Sequence, residues 1–285
     1  MSSYRFCRTD DIGLLVDALN RCWLPHFPGE PAMTPAAFKR SIRGLQVWCS
    51  SCMVAFAGSD PVGVLIGAKR PSGTLVYKLA VHPDHVRQGH GRHLLASLGS
   101  KLAILGPPRI IAEVPESLAA ACALFSASGY VQEAVLTDYV WEGEEDGGAG
   151  SATIGFVIPV TVDDLVANGL FEEERPQTCW ERSIETLTAT KDDIAGLAVA
   201  SDERIEAYLL RSDGAEIVSL RTFVDDGGSR LKQLLTRLRA QGRETFRFPK
   251  VHPAEISHEL LKALGFRPAG RHRLYAASVR PGPGP

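Results

Sequence analysis

The stretch Val81 to Leu95, V-H-P-D-H-V-R-Q-G-H-G-R-H-L-L, decides the fold of the first half of this 285-residue chain. An apolar strand runs into it, and a helix with leucines at helical spacing follows. Gly89 and Gly91 let the backbone approach an anion closely, and the N–H groups of the first helical turn favour negative charge. Arg87 and Arg92 add positive charge at the same place. The stretch therefore predicts a phosphate-binding loop.

The spacing of the glycines separates this loop from two common phosphate-binding motifs. The nucleoside-triphosphate loop G-x-x-x-x-G-K-[ST] does not occur, and the dinucleotide fingerprint G-x-G-x-x-G fails because Leu94 stands where the third glycine belongs. The stretch 86–91, V-R-Q-G-H-G, instead resembles the acyl-CoA-binding motif [QR]-x-x-G-x-[GA] of GNAT-type N-acetyltransferases. Val86 departs from the Gln or Arg of the family pattern. An ordinary strand-to-helix turn, in which glycine serves tight packing, is the alternative.

The resemblance implies that the cofactor is acetyl-CoA or another acyl-CoA, and that an amine attacks its thioester directly. It also implies that backbone N–H groups at the end of the strand polarise the thioester carbonyl, while the loop holds the pyrophosphate. The residues that it assigns to cofactor binding are Leu79, Ala80, Val81, Arg87, Gln88, Gly89, His90, Gly91 and Arg92.

The general acid and base are not fixed by the resemblance. The family often has a proton-donating Tyr where this chain has Phe125, and an Asn where it has Leu118. A phenyl ring has no proton to transfer. The candidates that replace them, each of which can also be an ordinary packing, turn or surface residue, are Tyr77, His82, Glu113, Ser126 and Tyr139. Ordered water is a further alternative. We select Tyr139 as the proton donor, with Tyr77 and Glu113 as the other catalytic candidates.

Composition and charge exclude several classes of protein. Hydrophobic residues at 45% and charged residues at 22% are typical of a globular protein, and a net charge of −2 without a basic run argues against nucleic-acid binding. No apolar stretch approaches the roughly 20 residues of a membrane helix, and the N-terminus has no apolar signal region. With the resemblance, these features predict a cytoplasmic monomer or homodimer whose acceptor is a small-molecule amine or a peptide amine.

The six cysteines carry two weaker hypotheses. The stretch W-C-S-S-C at 48–52 looks like a thioredoxin-type redox motif, but that chemistry needs the first cysteine at a helix N-terminus, and a strand follows here. No second C-x-x-C and no H-x-x-x-H completes a zinc site, so we predict no metal. The other cysteines are expected to be small buried apolar residues: Cys7, Cys22, Cys122 and Cys179.

The acidic, glycine-rich stretch Glu142 to Ser151 predicts a linker between two domains. The expected organisation is a first domain at 1–142, a linker at 143–152, a second domain at 153–279 and a disordered tail at 280–285. The element order of the first half, β-α-α-β-β-β-α-β-α-β, is similar to that of the GNAT fold. The predicted class is therefore α/β (α+β), with two GNAT-like domains, each a mixed, mostly antiparallel sheet flanked by helices.

The second half resembles a diverged copy of the first. The stretch L-F-S-A-S-G-Y at 124–130 pairs with L-L-K-A-L-G-F at 260–266, and Tyr139 and Tyr275 follow the paired glycines at equal distances. The alternative is that any two α/β domains share such signals. The loop of the copy is shorter and reads D-D-G-G at 225–228, where two carboxylates would repel a pyrophosphate. We therefore predict a tandem arrangement in which the second copy is degenerate.

The sequence thus predicts an N-acyltransferase, in the simplest case an acetyltransferase, that transfers an acyl group from acyl-CoA to an amine. The alternative is a catalytically inactive acyl-CoA-binding or structural protein of tandem GNAT type. Phe125 and Leu118 keep that alternative open, because both stand where the family often has functional polar groups. Turnover in the presence of amines separates the two.

Overall fold

A computed structural model describes residues 2–143, 155–171, 178–242 and 244–279. The described residues form two compact units, one of residues up to 134 together with those from 273 onward, the other of residues 135–272. The predicted linker lies outside the described residues except for Gly143, and so does the predicted tail at 280–285. None of the described helices is long and apolar enough to cross a membrane.

The first unit consists of a mostly antiparallel sheet and four helices. Its strands are β1 (Ser2–Phe6), β2 (Met53–Ala57), β3 (Asp60–Arg70), β4 (Gly73–Val81) and β5 (Arg109–Pro115). Its helices are α1 (Ile12–Trp23), α2 (Pro35–Gly44), α3 (His90–Leu105) and α4 (Ala119–Ala127). Strands β1 to β4 pair antiparallel in chain order, and β4 pairs parallel with β5. Helices α1 and α3 both pack against β3, which is buried along nearly its whole length.

A bulge in β4 opens the sheet where the functional loop begins. The pairing of β4 with β3 shifts between the partners of Ile66 and Gly67, which leaves Tyr77 as the extra residue. The parallel pairing with β5 covers only Thr74 with Ile110 and Leu75 with Ile111. Bulges bend a strand and often lie next to active sites. Beyond residue 75, β4 therefore presents an edge that the described ladder to β5 does not cover.

The second unit repeats this order of elements with shorter helices. Its strands are β6 (Val131–Glu142) from residue 135 onward, β7 (Phe156–Val160), β8 (Ile194–Ala200), β9 (Ile205–Ser212), β10 (Ile217–Thr222) and β11 (Thr245–Val251). Its helices are α5 (Val162–Ala167), α6 (Ile184–Ala189), α7 (Ser229–Arg239) and α8 (His258–Ala263). Strands β7 to β10 pair antiparallel in chain order. A parallel bridge between Glu216 and Arg247 connects the segments before β10 and within β11.

The last strand of the chain, β12 (Phe266–Ser278), is divided between the two units, and so is β6. Residues 273–278 of β12 belong to the first unit, whereas residues 135–142 of β6 belong to the second. Tyr275 therefore lies in the core of the first unit and Tyr139 in the core of the second. The domain boundaries predicted at 142 and 153 stay a prediction. Strand periodicity shows which face of a strand is apolar, but it does not show which sheet the strand joins.

Matching glycine contacts in the two units support the internal repeat. A Cβ placed on Gly91 would approach Leu124 Cδ2 to 2.8 Å, and one on Gly228 would approach Leu260 Cδ1 to 2.7 Å. Sequence comparison pairs those two leucines with each other. Gly129 and Gly265, which follow α4 and α8, also share the left-handed backbone, with φ of +84° and +88°. In both units a glycine at the start of the loop helix therefore lies against a leucine of the next helix, although Gly91 is the second residue of α3 and Gly228 is the N-cap of α7.

The cysteines behave as buried apolar residues. All six are free and buried, which confirms the expectation for Cys7, Cys22, Cys122 and Cys179. Cys49 lies in a 3-10 turn (Cys49–Ser51) and not at an α-helix N-terminus. Burial raises the pKa of the Cys49 thiol and of the Cys52 thiol. Because the thiolate is the reactive form, this position disfavours thiol–disulfide chemistry.

Candidate active site

A cavity of about 910 Å³ lies in the first unit, where β4 ends, α3 begins and α4 passes. Its volume falls within the range of small-molecule and cofactor sites. Eight of the nine residues assigned to cofactor binding line it, namely Leu79, Ala80, Val81, Arg87, Gly89, His90, Gly91 and Arg92. Gln88 does not, and its side-chain amide donates instead to the Asp84 carbonyl at 3.4 Å. The structure thus brings together nearly all of the loop that the sequence singled out.

The edge of β4 that faces the cavity offers backbone N–H donors. The N–H of His82 donates to the Val62 carbonyl in β3 at 2.9 Å. Because N–H groups alternate in direction along a strand, the N–H of Ala80 also points toward β3. The intervening N–H groups, those of Leu79 and Val81, then point to the opposite edge. Both residues line the cavity. Strand alternation therefore directs these two N–H groups away from β3, and their role as oxyanion donors stays a prediction.

The loop after β4 prepares the start of α3 for an anion. Arg87 and Gly89 adopt left-handed backbone, with φ of +63° and +86°, and Gly89 is the N-cap of the helix. Gly89 has no side chain that could accept the first N–H groups of α3, and the first turn of this helix contains no acidic residue. A helix start whose first N–H groups have no side-chain cap favours a phosphate. Close contact with Leu124, rather than backbone conformation, explains the glycine at position 91.

His90, the first residue of α3, is buried in this loop and is held by β1. Tyr4 Oη lies 2.8 Å from His90 Nδ1. Burial, and after it the neighbouring His85 and His93, lower the pKa of His90. The ring is therefore neutral at neutral pH, and the loop's formal positive charge comes from Arg87 and Arg92, both exposed. His90 thus orders the loop without adding charge.

His26 is a cavity residue that sequence reasoning missed. Its Nε2 lies 2.8 Å from the Val81 carbonyl oxygen, on the edge of β4 described above. A carbonyl oxygen only accepts, so Nε2 carries the hydrogen, and in a neutral ring Nδ1 is then an acceptor. The side chain is exposed to the cavity mouth. No motif marks this histidine, and only the aromatic run W-L-P-H-F at 23–27 signals a special surface.

Two aromatic rings beside His26 form one wall of the cavity. Trp23 and Phe27 are stacked with their centroids 4.4 Å apart. The Lys78 ammonium lies 3.8 Å from the Trp23 ring centroid, and Trp23 Nε1 donates to Glu30 at 2.8 Å. These contacts fix the rings at the end of α1. The wall is apolar, with a histidine at its edge.

The three residues selected as catalytic do not line this cavity. Tyr77 lies at the β4 bulge, and the Lys78 ammonium is 5.7 Å from its ring. Glu113 alternates with Ala112 and Val114 of the core, so it points to the other face of β5. Tyr139 lies in the second unit, where its Oη is 3.0 Å from His258 Nδ1. Their catalytic roles stay predictions.

Phe125 lies in the cavity at the position where the family often has a proton donor. Its ring stacks on Tyr275, with centroids 5.8 Å apart, and meets Tyr130 edge to face at 5.1 Å. The Tyr275 hydroxyl lies 3.5 Å from Ser126 Oγ. Ser126 and His82 are the two catalytic candidates that were not selected. Ser126 contacts Tyr275 as described, and Nδ1 of His82 accepts the N–H of Asp84.

Comparison with known proteins agrees with this geometry. Residues 15–130 match the model of the Acetyltransferase (GNAT) family. The first unit therefore contains a GNAT acetyltransferase domain, and the resemblance found in the sequence is confirmed for these residues. A search of curated proteins found no match. Within the described part of the chain, no group of three or more His, Cys, Asp or Glu residues is arranged to hold a metal ion.

Solved structures extend the likeness to the whole chain at the level of fold. A tandem GNAT protein from the clavulanic acid biosynthesis pathway matches with a TM-score of 0.66 and 18% identity, covering 100% of both chains. A GCN5-related N-acetyltransferase from Sphaerobacter thermophilus matches with a TM-score of 0.68 and 16% identity, covering 99% of this chain and 96% of the other. One from Anabaena variabilis matches with a TM-score of 0.65 and 11% identity, covering 98% and 73%. The predicted tandem GNAT fold is confirmed.

Proposed function

We propose that the chain is an N-acyltransferase, in the simplest case an acetyltransferase, whose first unit binds acyl-CoA and acylates an amine. The observation that carries this proposal is the cavity of about 910 Å³ that joins the edge of β4 at Leu79 to Val81 to the start of α3, where the N-cap is a glycine without a capping side chain. We further propose that the acceptor is a small-molecule or peptide amine and that the protein acts in the cytoplasm as a monomer or homodimer. Release of free thiol from acetyl-CoA, measured with a panel of amines, tests the activity.

The residues present fit acyl-CoA in three respects. The start of α3 has the donors and the flanking arginines that a pyrophosphate needs. The N–H groups of Leu79 and Val81 have the orientation that a thioester carbonyl needs. The α4 wall is lined by small side chains, among them Ala120, Ala123 and Ala127, which leave room for an extended chain.

The chain's own groups would then divide the work as follows. When bound, the cofactor supplies the activated acyl group. The N–H groups of Leu79 and Val81 hold the carbonyl oxygen as it gains negative charge. His26 Nδ1 takes a proton from the acceptor ammonium, which leaves the amine lone pair for attack. Acyl transfer would form the C–N bond and break the C–S bond, the attacking nitrogen would release its second proton to water, and a donor other than Phe125 would supply the proton that the thiolate needs.

His26 provides the first test of this scheme. His26→Ala is expected to lower kcat about 10²–10⁴-fold, the usual cost of removing a positioned base, because it removes the ring nitrogen that the Val81 contact holds at the β4 edge. Binding of acetyl-CoA is expected to stay within about twofold. His26→Gln keeps an N–H donor for Val81 but has no base, so it should be equally slow. A Gln variant with the parent's rate and pH profile would rule out the assignment.

Tyr139 as proton donor to the thiolate is retained as a hypothesis, although its hydroxyl contacts His258 in the second unit. If Tyr139 is the donor, Tyr139→Phe lowers kcat about 10²–10⁴-fold with little effect on folding. Tyr275→Phe is the matched control, because it removes the equivalent hydroxyl from the first unit. Turnover of Tyr139→Phe within about twofold of the parent across the pH range would refute the assignment.

The alternative function, an inactive acyl-CoA-binding protein, has one specific observation in its favour. Phe125 lies in the cavity where the family often has a proton donor, and its ring is stacked on Tyr275 and meets Tyr130 edge to face. This alternative predicts stoichiometric binding of acetyl-CoA without thiol release for any amine. Titration and turnover measured on the same preparation separate the two functions.

A further inference from the structure

A second cavity, of about 280 Å³, lies wholly within the second unit and outside the site described above. It is bordered by the end of β11, the start of α8 and the strands β6 and β12, and its volume is close to the lower end of the range of small-molecule sites. The cavity of the first unit, by comparison, measures about 910 Å³. A ligand of the second cavity is therefore much smaller than acyl-CoA.

The lining of this second cavity combines apolar walls with a few polar side chains. Valine, isoleucine and proline side chains form the apolar walls. The polar side chains in the lining are those of Thr137, Tyr139, His258 and Arg271. Small-molecule sites are typically apolar pockets in which a small number of polar groups orient the ligand. The second cavity therefore has the composition of a binding site.

Three of these polar side chains hold one another in place. Tyr139 Oη lies 3.0 Å from His258 Nδ1, and the buried Tyr139 ring meets Phe266 edge to face with centroids 6.5 Å apart. Thr137, which shares a face of β6 with Tyr139, is a further hydrogen-bond partner of the tyrosine hydroxyl. The two hydroxyls and the imidazole therefore have fixed positions relative to one another.

The first unit has an arginine side chain where the second unit has this opening. The internal repeat pairs Tyr139 with Tyr275, and the residues two positions before them are Thr137 and Arg273. The Arg273 guanidinium donates to Glu116, just after β5, at 3.0 Å and hydrogen-bonds with the Tyr275 side chain. It therefore reaches from β12 to the end of β5. A threonine is too short to bridge β6 and the end of β11 in the same way, and the second cavity lies at this place.

The charge at the second cavity indicates the class of ligand. Arg271 of β12 brings a positive charge to the lining, and no carboxylate stands there among the residues that the structure describes. Glu259, whose charge acts on Tyr139, lies outside the lining. An arginine binds a carboxylate through charge-assisted hydrogen bonds. We propose that the second cavity binds a small carboxylate, with its short apolar body against the apolar walls. This site is separate from the proposed acyltransferase site and does not depend on turnover.

Saturation-transfer NMR on the full chain tests this site with butyrate, isovalerate and benzoate, each compared with its neutral amide. The carboxylates are expected to bind about 10-fold more tightly than the amides, because hydrogen bonds to charged groups contribute more than those between neutral groups. Arg271→Gln should weaken binding of the carboxylates by about 10-fold for the same reason. Arg267→Gln is the matched control and should leave binding unchanged, because Arg267 lies on the same strand but pairs with Glu142 outside the cavity.

Thr137→Arg assigns the binding to this cavity, because it introduces the side chain that the first unit has at the equivalent position. It is expected to abolish binding of the carboxylates while the far-UV circular dichroism stays that of the parent. If this variant does not fold, Arg271→Gln decides the question, since Arg271 is exposed. Equal binding of acids and amides, equal effects of the two arginine variants, or binding that persists in Thr137→Arg would overturn the proposal. So would the absence of saturation transfer to all three acids at millimolar concentration.

Discussion

Gly91→Asp is expected to weaken binding of acetyl-CoA by about 100-fold or more, equivalent to roughly 3 kcal/mol. The substitution places a carboxylate in the first turn of α3, where the proposal puts a pyrophosphate. Like charges brought together in a binding site cost several kcal/mol, and the new carboxylate can also take the helix donors for itself, as Asp226 does in the second unit. Calorimetric titration of the full chain measures the effect.

Gly91→Ala is the matched control for this experiment. Any Cβ at position 91 meets Leu124 Cδ2 at 2.8 Å, the end of a flexible side chain, so both variants share this steric cost. Alanine adds no charge and is expected to weaken binding far less. If the two variants bind acetyl-CoA equally, the effect is steric, and the electrostatic role of the loop is not supported.

Tyr275→Ala is expected to destabilise the first unit by about 3–5 kcal/mol, although the residue lies near the end of the chain. The side chain is only 1% exposed and belongs to the same core as α3, α4 and β5. Truncation removes the ring that stacks on Phe125 and leaves a cavity among packed residues. Urea unfolding, followed by a probe in the first unit, measures the loss.

Tyr275→Phe separates packing from the hydroxyl contact in this second prediction. It keeps the ring and removes the hydroxyl, which contacts Ser126 at 3.5 Å and hydrogen-bonds with the Arg273 side chain, so it should cost about 1–2 kcal/mol. A small loss for Tyr275→Ala would show that residues 273–278 do not belong to the first unit. Binding of acetyl-CoA to partly unfolded Tyr275→Ala gives an independent readout. The substitution removes the ring that contacts Phe125, and Phe125 lines the cavity.

The loop and its strand could be predicted from sequence because local rules determine them. Position 89 has a left-handed backbone conformation, which glycine adopts most readily, and the leucines of α3 follow helical spacing. These features placed eight of nine predicted cofactor residues around one cavity. Gln88 was assigned with them because it lies within the motif, but its side chain turns back to Asp84.

Other parts of the site depend on contacts that are remote in sequence. His26 reaches Val81 across 55 positions, and no local pattern shows that the end of α1 lies beside β4. The placement of Tyr139 and Tyr275 depends on which sheet each strand end joins, and the two strands read alike in sequence. The Asp225-Asp226 pair indicated that the second loop would not hold a pyrophosphate. The sequence could not show that Asp226 itself takes up the helix donors.

The central claim is that acyl-CoA binds to the loop of the first unit, and stoichiometry measures it most directly. Isothermal titration of the full-length chain with acetyl-CoA is predicted to show one site per chain, lost in Gly91→Asp and unchanged in Asp225→Ala. Two equivalent sites per chain, or a single site that survives Gly91→Asp with its affinity intact, would contradict the account.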